Sequence, residues 1–272
     1  MICHCCDTEY EYLLDVESTT ISPQHADIYR CPSCSHIFRD YSGDANEYHK
    51  KFYRKEGGHG QRHGGQSEFT KDGKVKKIFH DNRKNICQKR VDIVNHFVDF
   101  KNKSLHTCID IGSGAGTFAM HLKSSHPHLD IECIEMDPRL VSECQNLGFN
   151  ASEASIFQIN SEKKYDVVFK WHVLEHILDV KGVMTVLEKI TKKTAVIEVP
   201  LLTALNNQGR SRKLINPNIS SHYGYEHLEY DGHYHYFTEK SFRRLVQDSE
   251  FNITHLQEGV QSPSLLAILE KK

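Results

Sequence analysis

The stretch "HTCIDIGSGAGTFAMHLKSS" (106–125) decides the fold. An unbroken apolar run ends in an acid, Asp110, and is followed by Gly112, Gly114 and Gly116 and then by a helical pattern. A continuous apolar run reads as a strand buried on both faces. Glycines directly after it set bare backbone at the mouth of an open α/β sheet, where ligands bind. A dinucleotide fingerprint asks for a third small residue at position 117, and Thr117 stands there, which counts against NAD. A ribose-binding acid is expected roughly 20 residues beyond such a loop, at the end of the second strand. Glu135 in "LDIECIEMD" (129–137) answers that requirement.

Outward from this stretch the pattern alternates. "PRLVSECQNLG" (138–148) reads as a helix, "YDVVFKW" (165–171) as a strand, "VKGVMTVLEKITKK" (180–193) as a helix and "TAVIEVP" (194–200) as a strand. "FNITHLQEG" (251–259) and "SLLAILEKK" (264–272) read as two final strands joined by a tight turn. Short apolar runs alternating with amphipathic helices predict a doubly wound, mostly parallel α/β sheet covered on both faces.

The N-terminal part has a different character. Five of the nine cysteines fall in the first 42 residues, and Cys3/Cys6 and Cys31/Cys34 form two C-x2-C knuckles. Paired knuckles are the four-thiolate zinc pattern, a staple for a piece too small to build its own core. Residues 1–42 are therefore expected to be a zinc ribbon. Residues 43–84, with "GGHGQRHGG" (57–65), are expected to be a linker or lid. "NRKNICQKRVDIVNHFVDF" (82–100) has a helical period that leads into the main domain, placed at 85–272.

Composition narrows the partner. Lys plus Arg (34) and Asp plus Glu (36) leave a formal charge of −2, which gives no field to gather nucleic acid or a membrane surface. No apolar run approaches the roughly 20 residues that span a bilayer, and the start lacks signal-peptide character. A cytoplasmic protein with a small-molecule partner is the expectation.

"IDIGSGAG", "IEMDP", "YDVVFKWHVLEHI" and the closing strand pair resemble class I S-adenosylmethionine-dependent methyltransferases, from about Asn85 to the C-terminus. The resemblance implies a seven-stranded sheet with the last strand antiparallel. It also implies that Asp110 orients the methionine amino group and that the backbone from Gly112 through Ser113 and Gly114 to Gly116 passes under the cofactor. By the same resemblance Glu135 holds the ribose, Met136, Glu153 and Ala154 border the adenine, and Lys170, Trp171 and His172 face the sulfonium side. The cysteine module is similar to that of bacterial methyltransferases whose N-terminal zinc ribbon accompanies action on nucleotide-linked sugars; Ser35 stands where that ribbon often has glycine.

Three readings compete for "HVLEH" (172–176). Glu175 and His176 are hydrogen-bonding partners that fix a helix start; His172 or His176 moves a proton; or His172, Glu175 and His176 hold a metal, with a fourth ligand from His222, His227, His233 or His235. The last resembles ubiquinone-pathway and small-RNA 2'-O-methyltransferases, which carry glutamate where this chain has His172. The substrate-binding insertion is placed at about 201–238, where "SSHYGYEHLEYDGHYHYFT" (220–238) supplies histidines and tyrosines. Histidine-assisted deprotonation without a catalytic metal is expected, with His235 or His176 as the base. The expected acceptor is an oxygen of a sugar, nucleotide-linked or phosphate-type intermediate of surface-glycan assembly. RNA or quinone methylation, and a non-catalytic binding module, are the alternatives.

Overall fold

The computed structural model describes residues 1–17, 25–41, 69–70, 72–102, 104–201, 233–261 and 263–272. The glycine-rich stretch 57–65 and most of the expected insertion lie outside the described residues.

The main sheet has seven strands. β4 (Thr107–Ile111), β5 (Asp130–Glu135), β6 (Asn150–Glu153), β7 (Tyr165–Trp171) and β8 (Thr191–Pro200) run parallel. β10 (Phe251–Glu258) and β11 (Ser264–Lys271) form the closing hairpin, with β11 antiparallel to β8. The order β10-β11-β8-β7-β4-β5-β6 places the reversal of strand order between β4 and β7, so their C-terminal ends flank the crevice. β7 is buried along its whole length, as its unbroken apolar run requires.

Helices cover both faces. α1 (Lys77–Phe97) buries Cys87, Val91 and Val94, a spacing of four and three that keeps one stripe against the sheet. It starts well before Asn85, inside the stretch expected to be linker. Its first two turns are mostly polar and carry no side-chain cap, so nothing in the sequence marks the start. α2 (Thr117–Ser125) begins at Gly116, which takes a left-handed conformation. α3 (Pro138–Asn146) opens with Pro138 after Asp137, whose carboxylate accepts from Arg139 N at 2.9 Å. α4 (Val180–Ile190) is capped by Asp179 and ends three residues early, because Thr191, Lys192 and Lys193 join β8. α5 (Glu239–Gln247) is capped by Thr238.

The cysteine module is a second, antiparallel sheet, β1 (Glu11–Glu17), β2 (His25–Arg30) and β3 (Ile37–Tyr41). Its fourth strand, β9 (His235–Tyr236), comes from the far end of the chain and pairs with β3. A three-stranded meander leaves an unpaired edge, and β9 covers it. The ribbon cysteines and Phe38 share one apolar cluster with Val168, Phe237 and Phe242 of the main domain, so the two parts form one packed body.

Candidate active site

At the C-terminal end of β4 the chain turns through Gly112, Gly114 and Gly116, with φ of 75°, 56° and 74°. Only glycine adopts this region without strain. Gly112 N donates to Ile134 O at 2.7 Å, which pins the loop to β5. A Cβ on Gly112 would lie 2.3 Å from Val173 Cγ2, so the loop and the HVLEH turn touch directly. A Cβ on Gly114 would meet nothing within 4 Å: here bare backbone faces open space.

Two carboxylates frame that space. Glu135 Oε2 accepts from Gly114 N at 2.9 Å, and its Oε1 accepts from Met136 N and Asp137 N at 2.7 and 3.0 Å. Burial raises its pKa and these backbone donors work against that rise. Asp110 is 1% exposed and, among the described residues, neither of its oxygens has a hydrogen bond. Burial pushes its carboxyl up to about 7, with the Arg90 charge opposing. A buried carboxylate without a partner is costly and calls for a cationic donor. The methionine ammonium of S-adenosylmethionine fits that need, and its ribose hydroxyls fit Glu135. Met136, next to Glu135, keeps 46% of its surface exposed, and Ala154 N donates to Glu135 O at 3.1 Å, which sets the end of β6, with Glu153, beside it.

The HVLEH stretch does not open a regular α-helix. Leu174–His176 is a single 3-10 turn that buries Leu174 and Glu175. His172 precedes it with φ of 51° and sits between two buried carboxylates. Its Nδ1 is 3.5 Å from Glu175 Oε1 and its Nε2 is 3.4 Å from Glu198 Oε1. Burial lowers the His172 pKa, but Glu175 and Glu198 more than reverse this and raise it to about 9. The two carboxylates thus favour the charged form of His172.

Glu198 was not singled out from the sequence, although a carboxylate in the apolar run "TAVIEVP" was a signal. It accepts from Arg90 Nε, Ser264 Oγ and Val260 N, each at 2.8 Å, and thereby ties α1 and the last hairpin to His172. Glu175, His176 and His233 form a second group, whose potential ligand atoms all lie within 4.8 Å of one another. Tyr234 N donates to Glu175 O at 2.8 Å and brings His233 to the turn.

The other expected site residues divide. Lys170 is fully buried and its Nζ donates no hydrogen bond among the described residues; burial lowers its pKa to about 7, against the pull of Glu175. Trp171 packs inward instead, stacked on Phe169 and edge-on to Phe118, with the Arg90 guanidinium 4.8 Å from its ring centre. His235 is fully buried between the cysteine module and the core, its Nε2 is 3.1 Å from Leu178 O, and the rings of His36 and Phe38 lie against it. Strand register explains this: on β9 the neighbours of His235 face opposite ways, and pairing with Phe38 turns His235 toward the ribbon.

Cys3, Cys6, Cys31 and Cys34 bring their four sulfurs within 4.8 Å of one another. Cys5 N points at Cys3 Sγ and Cys34 N at Cys31 Sγ, both at 3.4 Å. Asp7 and Ser35, each directly after a knuckle, take φ of 59° and 62°. The donor set suits a closed tetrahedral thiolate shell. Cys5 is buried outside it.

The sequence profile of the family described as "Methyltransferase domain" matches residues 78–256, and the chain belongs to that family. Its fold is that of S-adenosylmethionine-dependent methyltransferases. A methyltransferase from Clostridium acetobutylicum superposes with a TM-score of 0.52 at 11% identity, over 72% of this chain and 98% of that one. Mitomycin 7-O-methyltransferase gives 0.51 at 17% identity, over 72% and 57%. Magnesium protoporphyrin IX methyltransferase from Synechocystis, with S-adenosylhomocysteine bound, gives 0.50 at 16% identity, over 74% and 90%. No curated protein matches the chain.

Proposed function

We propose that the protein transfers a methyl group from S-adenosylmethionine to an oxygen of a small acceptor, a sugar, nucleotide-linked or phosphate-type intermediate of surface-glycan assembly, in the cytoplasm. The observation that carries the reading is the pair of carboxylates at the glycine loop: Asp110, buried and without a hydrogen-bond partner among the described residues, and Glu135, already clasped to Gly114 N.

Asp110 takes the cofactor's ammonium, Glu135 takes the ribose hydroxyls, and Met136, Glu153 and Ala154 border the adenine. When bound, S-adenosylmethionine supplies an electrophilic methyl on sulfur; the protein supplies orientation and removal of the acceptor's proton. Val173 against Gly112 sets the HVLEH turn beside the loop, so the acceptor meets Glu175, His176 and His233. Zinc on Cys3, Cys6, Cys31 and Cys34 is the structural ion of the ribbon. The formal charge of −2 supports a small acceptor over RNA.

Calorimetry tests the cofactor: S-adenosylmethionine binds at one per chain and NAD does not. Transfer of labelled methyl to nucleotide-linked sugars, but not to RNA, tests the acceptor. Absence of binding by S-adenosylmethionine removes the proposal, and labelled RNA reverses the acceptor class.

A further inference from the structure

Glu175 is hard to explain as a structural residue alone. It is fully buried, and among the described residues neither carboxylate oxygen receives a hydrogen bond. The ring nitrogens facing Oε1, His172 Nδ1 at 3.5 Å and His176 Nε2 at 3.8 Å, stand at ion-pair distances. Buried anions persist when paired or when they ligate metal. His172 is shared with Glu198, which leaves one face of Glu175 turned to His176 and His233.

We infer that Glu175, His176 and His233 bind a divalent first-row transition-metal ion at the acceptor side of the site. The two rings stand edge to face with centroids 4.6 Å apart, and each offers a nitrogen within 4.8 Å of the other and of a Glu175 oxygen. Ligand atoms that share an ion at ~2.1 Å lie about 3.4 Å apart in a tetrahedral site, so small side-chain rotations close the set. Two imidazoles and one carboxylate suit zinc, manganese, iron or cobalt; magnesium and calcium prefer all-oxygen shells. Three protein ligands leave a position open, the mark of a reactive rather than a structural ion. The side chain of His176 keeps 18% of its surface exposed, so that position is reachable.

The ion's role rests on the function proposed above. An acceptor hydroxyl on the open position acidifies and releases its proton to water. Its oxygen then forms the new C–O bond as the C–S bond breaks and the electron pair returns to sulfur, giving S-adenosylhomocysteine. This replaces the expected metal-free chemistry. It also narrows the expected ligand set: His172 stays with Glu198, and His233, one of the four histidines expected to offer a further ligand, joins Glu175 and His176.

Growth in cobalt-supplemented minimal medium loads both sites without unfolding the protein. Wild type is expected to hold two cobalt ions per chain, one with intense thiolate charge-transfer absorption from the ribbon and one without. Glu175→Gln and His233→Ala should each hold one, with the thiolate band unchanged as the control for folding. A single ion in wild type overturns the inference, as does a second ion that survives both substitutions. Calorimetry with S-adenosylmethionine on the same samples separates the two levels. Binding that persists without a second ion removes only the metal; loss of binding in wild type removes the proposed function.

Discussion

Gly112→Ala probes the contact that joins the cofactor loop to the acceptor turn. The added Cβ meets two independent obstacles. Gly112 has φ of 75°, and a residue with a side chain in the left-handed region costs about 1–2 kcal/mol. The Cβ would also lie 2.3 Å from Val173 Cγ2 and 3.3 Å from Cγ1, and forcing such an overlap costs about 1–3 kcal/mol more. Together they destabilise the fold by about 2–5 kcal/mol, a fall in Tm of roughly 5–20 °C for a chain this size. Since Val173 opens the turn, affinity for S-adenosylmethionine falls with stability. Gly114→Ala is the control: its φ is 56° but no atom lies within 4 Å of the added Cβ, so its stability cost is only the first part, about 1–2 kcal/mol. Its ligand binding suffers more than its Tm. Adding Val173→Ala to Gly112→Ala removes both γ-methyl groups and should restore about 1–3 kcal/mol as a coupling energy. Thermal unfolding of wild type, Gly112→Ala, Gly114→Ala, Val173→Ala and the Gly112→Ala, Val173→Ala double variant measures each quantity. A coupling of zero, or a Gly112→Ala protein as stable as wild type, refutes the argument that loop and turn are in hard contact.

Two further outcomes follow from the carboxylates. Glu135→Gln keeps the shape but loses charge-assisted acceptance from Gly114, Met136 and Asp137 N–H and from the ribose, so S-adenosylmethionine affinity should drop at least tenfold, about 1.5–3 kcal/mol; an unchanged Kd would show that Glu135 does not face the ribose. Asp166 is held below the ordinary aspartate range: burial raises its pKa, and the backbone N–H groups of Thr107 and His106, the Thr107 hydroxyl and Lys192 more than reverse that. Its stabilisation is fully present above the unfolded value near pH 4 and is lost as pH falls through the folded value. Wild type should therefore exceed Asp166→Asn in Tm at pH 7 and converge on it in acid; parallel curves would show that the charge contributes nothing.

What the sequence disclosed was local. The glycine loop, Asp110, Glu135, the two cysteine knuckles and the strand-helix alternation each follow from residues close together in the chain, and each has a physical signature within a short window. Neighbours in space but not in sequence left no such mark. Glu198 lies 22 residues past His176 in an apolar strand, and only the pairing of β8 with β7 sets it under His172. The surroundings of Trp171 and His235 are hidden from the sequence for the same reason. Which face a residue takes depends on the partner strand, and the partner of β9 lies in the N-terminal module. The start of α1 was lost because its first turns bury little and so show no period.

That distant pairing governs how the chain can be assembled. Thr238 Oγ1 donates to Cys34 O across 204 residues of sequence, and β9 closes the ribbon sheet in the same place. At 5–20 residues per second, synthesis separates the two partners by about 10–40 s. During that interval the ribbon has its four cysteines but an open edge on β3, the kind of edge that recruits foreign strands. The N-terminal module is thus among the first parts made and among the last completed. Removing it is not a domain deletion, because the cut leaves His233 and β9 without the sheet that holds them beside Glu175.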